Sequence, residues 1–145
     1  FVKTKHQRMQ LDLTITLPGL FDLENMVHLS NDLNIELLTK QVFNFTNDNA
    51  MAPLFMPYDI MSEIIDDARS KTIKYKNLHL KNFFNQLDEM QSQKRNNELI
   101  YSEEEYKIGQ KKGKAEVERL DKIRKTDIKK ILAKNKKALE WWTSI

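Results

Sequence analysis

The chain reads as an α/β protein in which one parallel strand–helix–strand unit is followed by a mostly helical region. Three observations predict this class. Leu11 to Leu17 alternates apolar and polar residues, the stretch from Asp22 to Leu33 repeats its apolar residues near helical spacing, and Ile35 to Phe45 is again rich in Leu, Val and Phe. A helix of about three turns between two strands is the crossover of a parallel pair.

In the first strand Leu11, Leu13, Ile15 and Leu17 share one face, with Asp12, Thr14 and Thr16 on the other, and Pro18-Gly19 ends it. Asp22 is placed to cap the first helical turn. Leu23, Met26, Val27, Leu29 and Leu33 form the apolar stripe, and Asn34 suits a left-handed C-cap. Parallel sheets almost always have both faces covered and more than two strands. The remaining sequence offers few further strands, so residues 1–57, the strand–helix–strand unit and the loop after it, are expected to be one piece of a larger α/β assembly, with residues 58–145 a helical region. The start, Phe1-Val2-Lys3-Thr4-Lys5-His6, is neither a signal peptide nor an initiator start. The sequence is therefore expected to lie within a longer one, or to be completed by a partner chain.

The segment Asn44 to Pro57 reads as an irregular loop anchored by Leu54-Phe55-Met56. It follows the C-terminal end of a strand, where parallel α/β folds place their ligands. Pro57 begins the next helix, capped by Asp59 or the residue before it, with Ile60, Met61, Ile64, Ile65 and Ala68 as its apolar stripe. Leu78 to Arg95 repeats the pattern through Leu80, Phe83, Phe84, Leu87 and Met90. Ser102-Glu103-Glu104-Glu105 is a helix start with acids at its positive end, and Gly109 and Gly113 predict a helical boundary. Thr126 or Asp127 caps a last segment that carries Ile128, Ile131, Leu132, Ala138, Leu139 and Trp141-Trp142.

The 145 residues include no cysteine, which excludes disulfides, thiolate nucleophiles and cysteine-held zinc or iron–sulfur clusters within this segment. No apolar stretch approaches the roughly 20 residues that span a bilayer. A reducing, cytoplasmic setting without a membrane is expected. Residues 1–70 carry five Lys/Arg against ten Asp/Glu and residues 71–145 nineteen against eleven, so the basic excess lies in the second half.

His6, His28 and His79 lie in different elements, without ligand spacing. Consecutive Glu103, Glu104 and Glu105 point in different directions and cannot converge on one atom. Gly109 to Lys114 lacks both the preceding strand and the residue order of a phosphate loop. The lysines from 111 to 137 suit nucleic acid, with Trp141 or Trp142 stacking on a base, although interleaved Glu116, Glu118, Asp121 and Asp127 also suit pairing along the helix. Thr14, Thr16, Lys40, Gln41 and Asn44 lie along or just past the two strands. On an exposed face they carry no message, and on a barrel's inner face they are ligand contacts.

The order strand Leu11 to Leu17, loop Pro18-Gly19-Leu20-Phe21-Asp22-Leu23, helix, Leu33-Asn34-Ile35 and strand Ile35 to Asn44 resembles the last strand–helix–strand of the radical SAM partial barrel. The loop with Ala52-Pro53-Leu54, the helix from Pro57, and Leu120 to Asp127 followed by Trp141-Trp142 resemble the C-terminal part of its twitch-domain members. The family's Cys-x-x-x-Cys-x-x-Cys loop, which holds the [4Fe–4S] cluster that reduces S-adenosylmethionine, is absent here. The resemblance therefore implies a C-terminal, non-cluster segment, inactive alone, that supplies the last strands and shields a radical from water. It implies S-adenosylmethionine contacts from Lys40, Gln41 and Asn44 and substrate contacts from Thr14 and Thr16, with Asp121 and Arg124 as a structural ion pair. The alternatives are a small α/β module whose basic helices hold nucleic acid or another acidic partner, and a structural subunit whose open sheet edge is completed by a partner or by itself.

Overall fold

A computed structural model describes residues 9–41, 51–75, 78–95 and 102–145. Strand β1 (Gln10–Ile15) leads through a 3-10 turn (Pro18–Asp22) into helix α1 (Leu23–Leu33) and strand β2 (Glu36–Gln41). A second 3-10 turn (Pro53–Phe55) precedes α2 (Tyr58–Thr72), α3 (Leu78–Arg95), α4 (Glu103–Arg124), α5 (Ile128–Leu132) and α6 (Lys136–Ser144). The strands pair in parallel, with Gln10 opposite Glu36 and Ile15 opposite Gln41. Among the described residues the sheet has these two strands, and most of the rest is helical. Positions 42–45 of the expected second strand lie outside the described residues.

Strand alternation sets the two faces of the sheet. Leu11, Leu13 and Ile15 of β1 share a face with Leu37 and Thr39 of β2, and α3 packs against β2. Ile15 and Leu37 are buried there with Phe83, Leu87 and Met90 of α3 in the core cluster. That cluster also takes in Met61 and Ile65 of α2, Leu132 of α5 and Trp142 of α6, so side chains from before and after residue 57 share one core.

The crossover ends as its residues require. Asn34 adopts the left-handed conformation (φ 49°, ψ 50°), which asparagine tolerates because its short amide bonds locally. Its N–H reaches Asn31 O, and the Ser30 hydroxyl, fully buried, donates to Ile35 O at 2.6 Å. Together they turn the chain from α1 into β2. Leu23 and Val27 are buried, whereas Leu29 and Leu33 are 42% and 49% exposed, so α1 leaves part of its expected stripe uncovered.

The structure corrects several local expectations. Asp22 is the N-cap of α1 but makes no side-chain cap bond; its Oδ1 accepts from Asn25 Nδ2 at 2.6 Å, because the preceding 3-10 turn runs directly into the helix. Pro57, not Asp59, is the N-cap residue of α2. Gly109 and Gly113 interrupt nothing: α4 is continuous for 22 residues, both glycines are buried, and tertiary packing outweighs a propensity cost of about 1 kcal/mol per glycine. The last segment is two helices, with Asp127 Oδ1 accepting from Lys129 N–H at α5 and Asn135 Oδ1 accepting from Ala138 N–H at α6.

The Ser102 start of α4 is a full capping box. Ser102 Oγ accepts from Glu105 N–H, and the Glu105 carboxylate accepts from Ser102 N–H at 2.8 Å. Ser102→Ala should cost about 1 kcal/mol in a urea titration. The bonds from the Ser102 hydroxyl and backbone N–H hold the Glu105 carboxyl below its usual 4.5. A lowered folded-state value means that the contribution is present above the unfolded value and is lost as pH falls through the folded one. Urea midpoints taken from pH 6 to pH 3 should therefore fall less steeply in Glu105→Gln than in the parent below about pH 4.5; equal slopes would refute the linkage.

Candidate functional site

The opposite face of the sheet carries Gln10, Asp12 and Thr14 from β1 with Glu36, Leu38 and Lys40 from β2. Gln10, Asp12, Thr14 and Lys40 are exposed, and Leu38 is half-buried. Lys40 Nζ donates to Asp12 Oδ2 at 2.6 Å across the strand pair, and Thr14 is the register partner of Lys40. Among the described residues the sheet is therefore one-sided: helices cover its apolar face and leave its polar face open. That is unusual for parallel strands, whose neighbours normally cover both faces.

The expected site residues divide accordingly. Thr14 and Lys40 lie together on the open face. Thr16 lies beyond β1, and its Oγ1 accepts the Gly19 N–H at 3.1 Å, so it shapes the turn after the strand. A Cβ at Gly19 would lie 3.0 Å from that oxygen, so any side chain there would require Thr16 to shift. Gln41 is the register partner of Ile15, and the period of two sets adjacent positions 40 and 41 on opposite faces. Asn44 lies outside the described residues, as does most of the loop expected to carry function. Its described end is tied to the strand, because Leu17 N–H donates to Met51 O at 2.6 Å.

Asp121 and Arg124 form no ion pair with one another. Asp121 instead ties α4 to α5: Oδ2 accepts the Ile128 N–H at 2.8 Å and Oδ1 accepts the Thr126 hydroxyl at 2.5 Å. The ion pair that the resemblance implied is thus absent among the described residues, because a carboxylate beside a chain reversal finds local hydroxyl and backbone N–H donors first.

Several concavities lie around this framework among the described residues. At the C-terminal end of the sheet, Ile15, Thr39, Lys40, Gln86, Glu89, Met90 and Gln93 enclose about 360 Å³ between β2 and α3. Thr39 falls within the strand that the sequence predicts, but only the tertiary packing brings the polar residues of α3 beside it. A second cleft, of about 690 Å³, lies among α1, α2 and the α5–α6 connection. Its charges are largely paired: Lys71 bridges Asp67 at 2.7 Å and Glu24 at 3.2 Å, and Lys137 and Asn135 both hold Glu63. These bonds push Lys71 and Lys137 up and Glu63 down from their ordinary values, stabilising the charged forms. A self-neutralised network of this kind fastens helices and offers a ligand little free charge. A third, of about 390 Å³ and mostly apolar, lies where α4 and α5 meet Pro18 and Met51.

Among the described residues no group of three or more His, Asp or Glu side chains is placed to hold a metal ion, and no helix is long and apolar enough to cross a membrane. The chain matches no family model, no curated protein and no solved structure.

Proposed function

We propose that this chain is the closing end of a radical SAM-type partial barrel, with its open polar face turned toward the barrel interior. The observation that carries the reading is the one-sided sheet. In a barrel the helices cover the outside of the strands and polar side chains line a ligand-holding interior, and the same division appears here with Asp12, Thr14 and Lys40 on the uncovered face. The uncovered Leu29 and Leu33 of α1 also suit neighbouring elements.

The remaining strands would come from further sequence of the same polypeptide or from a partner chain. The cluster would come from there too, since the sequence holds no cysteine. S-adenosylmethionine carries both a carboxylate and an adenine. Lys40 can donate to either from the open face, with Asn44 completing that contact. Gln41, whose position lies on the other face, would reach the ligand only around the end of the strand. Thr14 and Thr16 would face substrate. Thr16 could do so only through the oxygen that already accepts from Gly19. The helices would exclude water from a radical intermediate, which is this segment's contribution to the chemistry. The cluster, when bound, supplies the electron. The reading carries a reducing, cytoplasmic setting with it.

The test uses the native polypeptide that contains this sequence, purified anaerobically and reconstituted with iron and sulfide. It is expected to take up a [4Fe–4S] cluster and cleave S-adenosylmethionine reductively, with Lys40→Met raising the KM for S-adenosylmethionine about tenfold and leaving cluster content unchanged. Failure to take up a cluster, or an unchanged KM in Lys40→Met, overturns the assignment.

A second reading rests on one observation. Lys122, Lys125, Lys129 and Lys130 are exposed and make no ion pair among the described residues, a surface that suits nucleic acid or another acidic partner. Binding to an oligonucleotide that weakens steeply with added salt would favour it.

A further inference from the structure

The mostly apolar cleft between α4 and α5 is used neither by the sheet face nor by the ion-pair network. Pro18 and Met51, which follow β1 and β2 in the chain, line it together with Val117, Leu120, Ile128 and Ile131. Its volume, about 390 Å³, lies in the range of small-molecule sites, which are mostly apolar with a few polar groups that set orientation.

Four polar residues line it, and three are already occupied. Asp121 accepts from Thr126 Oγ1 and Ile128 N–H, and Asp127 caps α5 through Lys129 N–H. Arg124 is the fourth: it lines the cleft, is exposed, and its side chain makes no hydrogen bond or ion pair among the described residues. A guanidinium presents a planar fork of donors that matches a carboxylate or a phosphate. The flanking Lys122, Lys125, Lys129 and Lys130 keep the local potential positive despite the two aspartates.

We infer that this cleft binds a small amphiphilic anion, with its apolar body between α4 and α5 and its anionic group paired with Arg124. An apolar lining favours a body without hydrogen-bonding groups, and the Arg124 guanidinium beside it, unpaired among the described residues, fixes the anionic end. Nothing in this depends on whether the sheet belongs to a barrel.

Calorimetric titration of the 145-residue protein with decanoate, decyl phosphate and 1-decanol, each below its micelle concentration, tests it. At least one of the two anions should bind saturably and more tightly than the alcohol, and the stronger of the two identifies the headgroup as carboxylate or phosphate. Arg124→Met keeps much of the apolar stem, sits on the surface, and should weaken the anion about tenfold or more without changing the circular dichroism spectrum or the alcohol titration. Leu120→Glu, which puts a carboxylate on the wall, should weaken both anions. Binding that is equal for anion and alcohol, unaffected by Arg124→Met, or absent for every probe overturns the inference. Displacement of the anion by a short oligonucleotide, with no loss in Leu120→Glu, would assign the charge to nucleic acid and also overturn it.

Discussion

Trp142→Ala is expected to lower the unfolding free energy by about 3–5 kcal/mol, among the largest effects of any single truncation in this chain. Trp142 is fully buried in the core cluster, on a helix of nine residues too short to be stable alone. Removing the indole leaves a large void and also unpins the helix, whose Trp142 carbonyl accepts from Lys114 Nζ at 2.7 Å. Its Nε1–H has no hydrogen-bond partner among the described residues. A buried donor without an acceptor is costly, so the indole contributes through its ring surface alone. Trp142→Phe removes that orphan donor along with part of the ring, and should cost well under half of what Trp142→Ala costs. Urea unfolding followed by circular dichroism separates the two. Similar losses for both would mean that the indole N–H finds a partner in solution.

The second prediction concerns neighbouring leucines on opposite faces of β2. Leu37 is 2% exposed beneath the helices, and Leu37→Ala should cost about 2–5 kcal/mol. Leu38, half-buried on the uncovered face, should cost less than about 1 kcal/mol on the same substitution in the isolated 145-residue protein. If that face is the interior of a larger barrel, Leu38→Asp should leave the isolated protein folded yet impair the complete enzyme, because it buries an unpaired carboxylate there. A complete protein indifferent to Leu38→Asp would contradict the inward orientation, and equal losses for Leu37→Ala and Leu38→Ala in the isolated protein would contradict the face assignment.

Much of the secondary structure was legible because each element writes its own local pattern. Alternation between Leu11 and Ile15, the Asn34 cap and the Ser102 box depend on residues a few positions apart, and the structure places all three as expected. What the sequence hid depends on distant contacts. The two glycines of α4 read as a break because propensity is local, whereas the side chains that hold this helix come from elsewhere: Gln110 Nε2 donates to Phe55 O at 2.8 Å, and Phe55 stacks edge-on with Tyr106. The open face was legible as an alternation, but which face the helices leave bare was not, since α3 lies some forty residues further along the chain. The cleft beside Arg124 was invisible for the same reason. Its lining joins residues 18, 51, 117 and 131, and the Asp121 bonds to Thr126 and Ile128 tie α4 to α5 beside it.

The contact between α5 and the turn at residues 18–22 carries a kinetic consequence. Lys134 Nζ donates to Phe21 O across 113 positions, and α5 packs on that turn while Leu20 and Leu132 are both fully buried. Closing so long a loop is slow, and its entropy must be lost before the contact returns anything. During synthesis the strand–helix–strand unit emerges long before its α5 partner, at a ribosomal pace of about 5–20 residues per second, so its apolar underside waits for seconds without its final cover. The nascent chain is most exposed to chaperones and to misassociation over that interval, and the interval ends when residues 128–142 leave the exit tunnel.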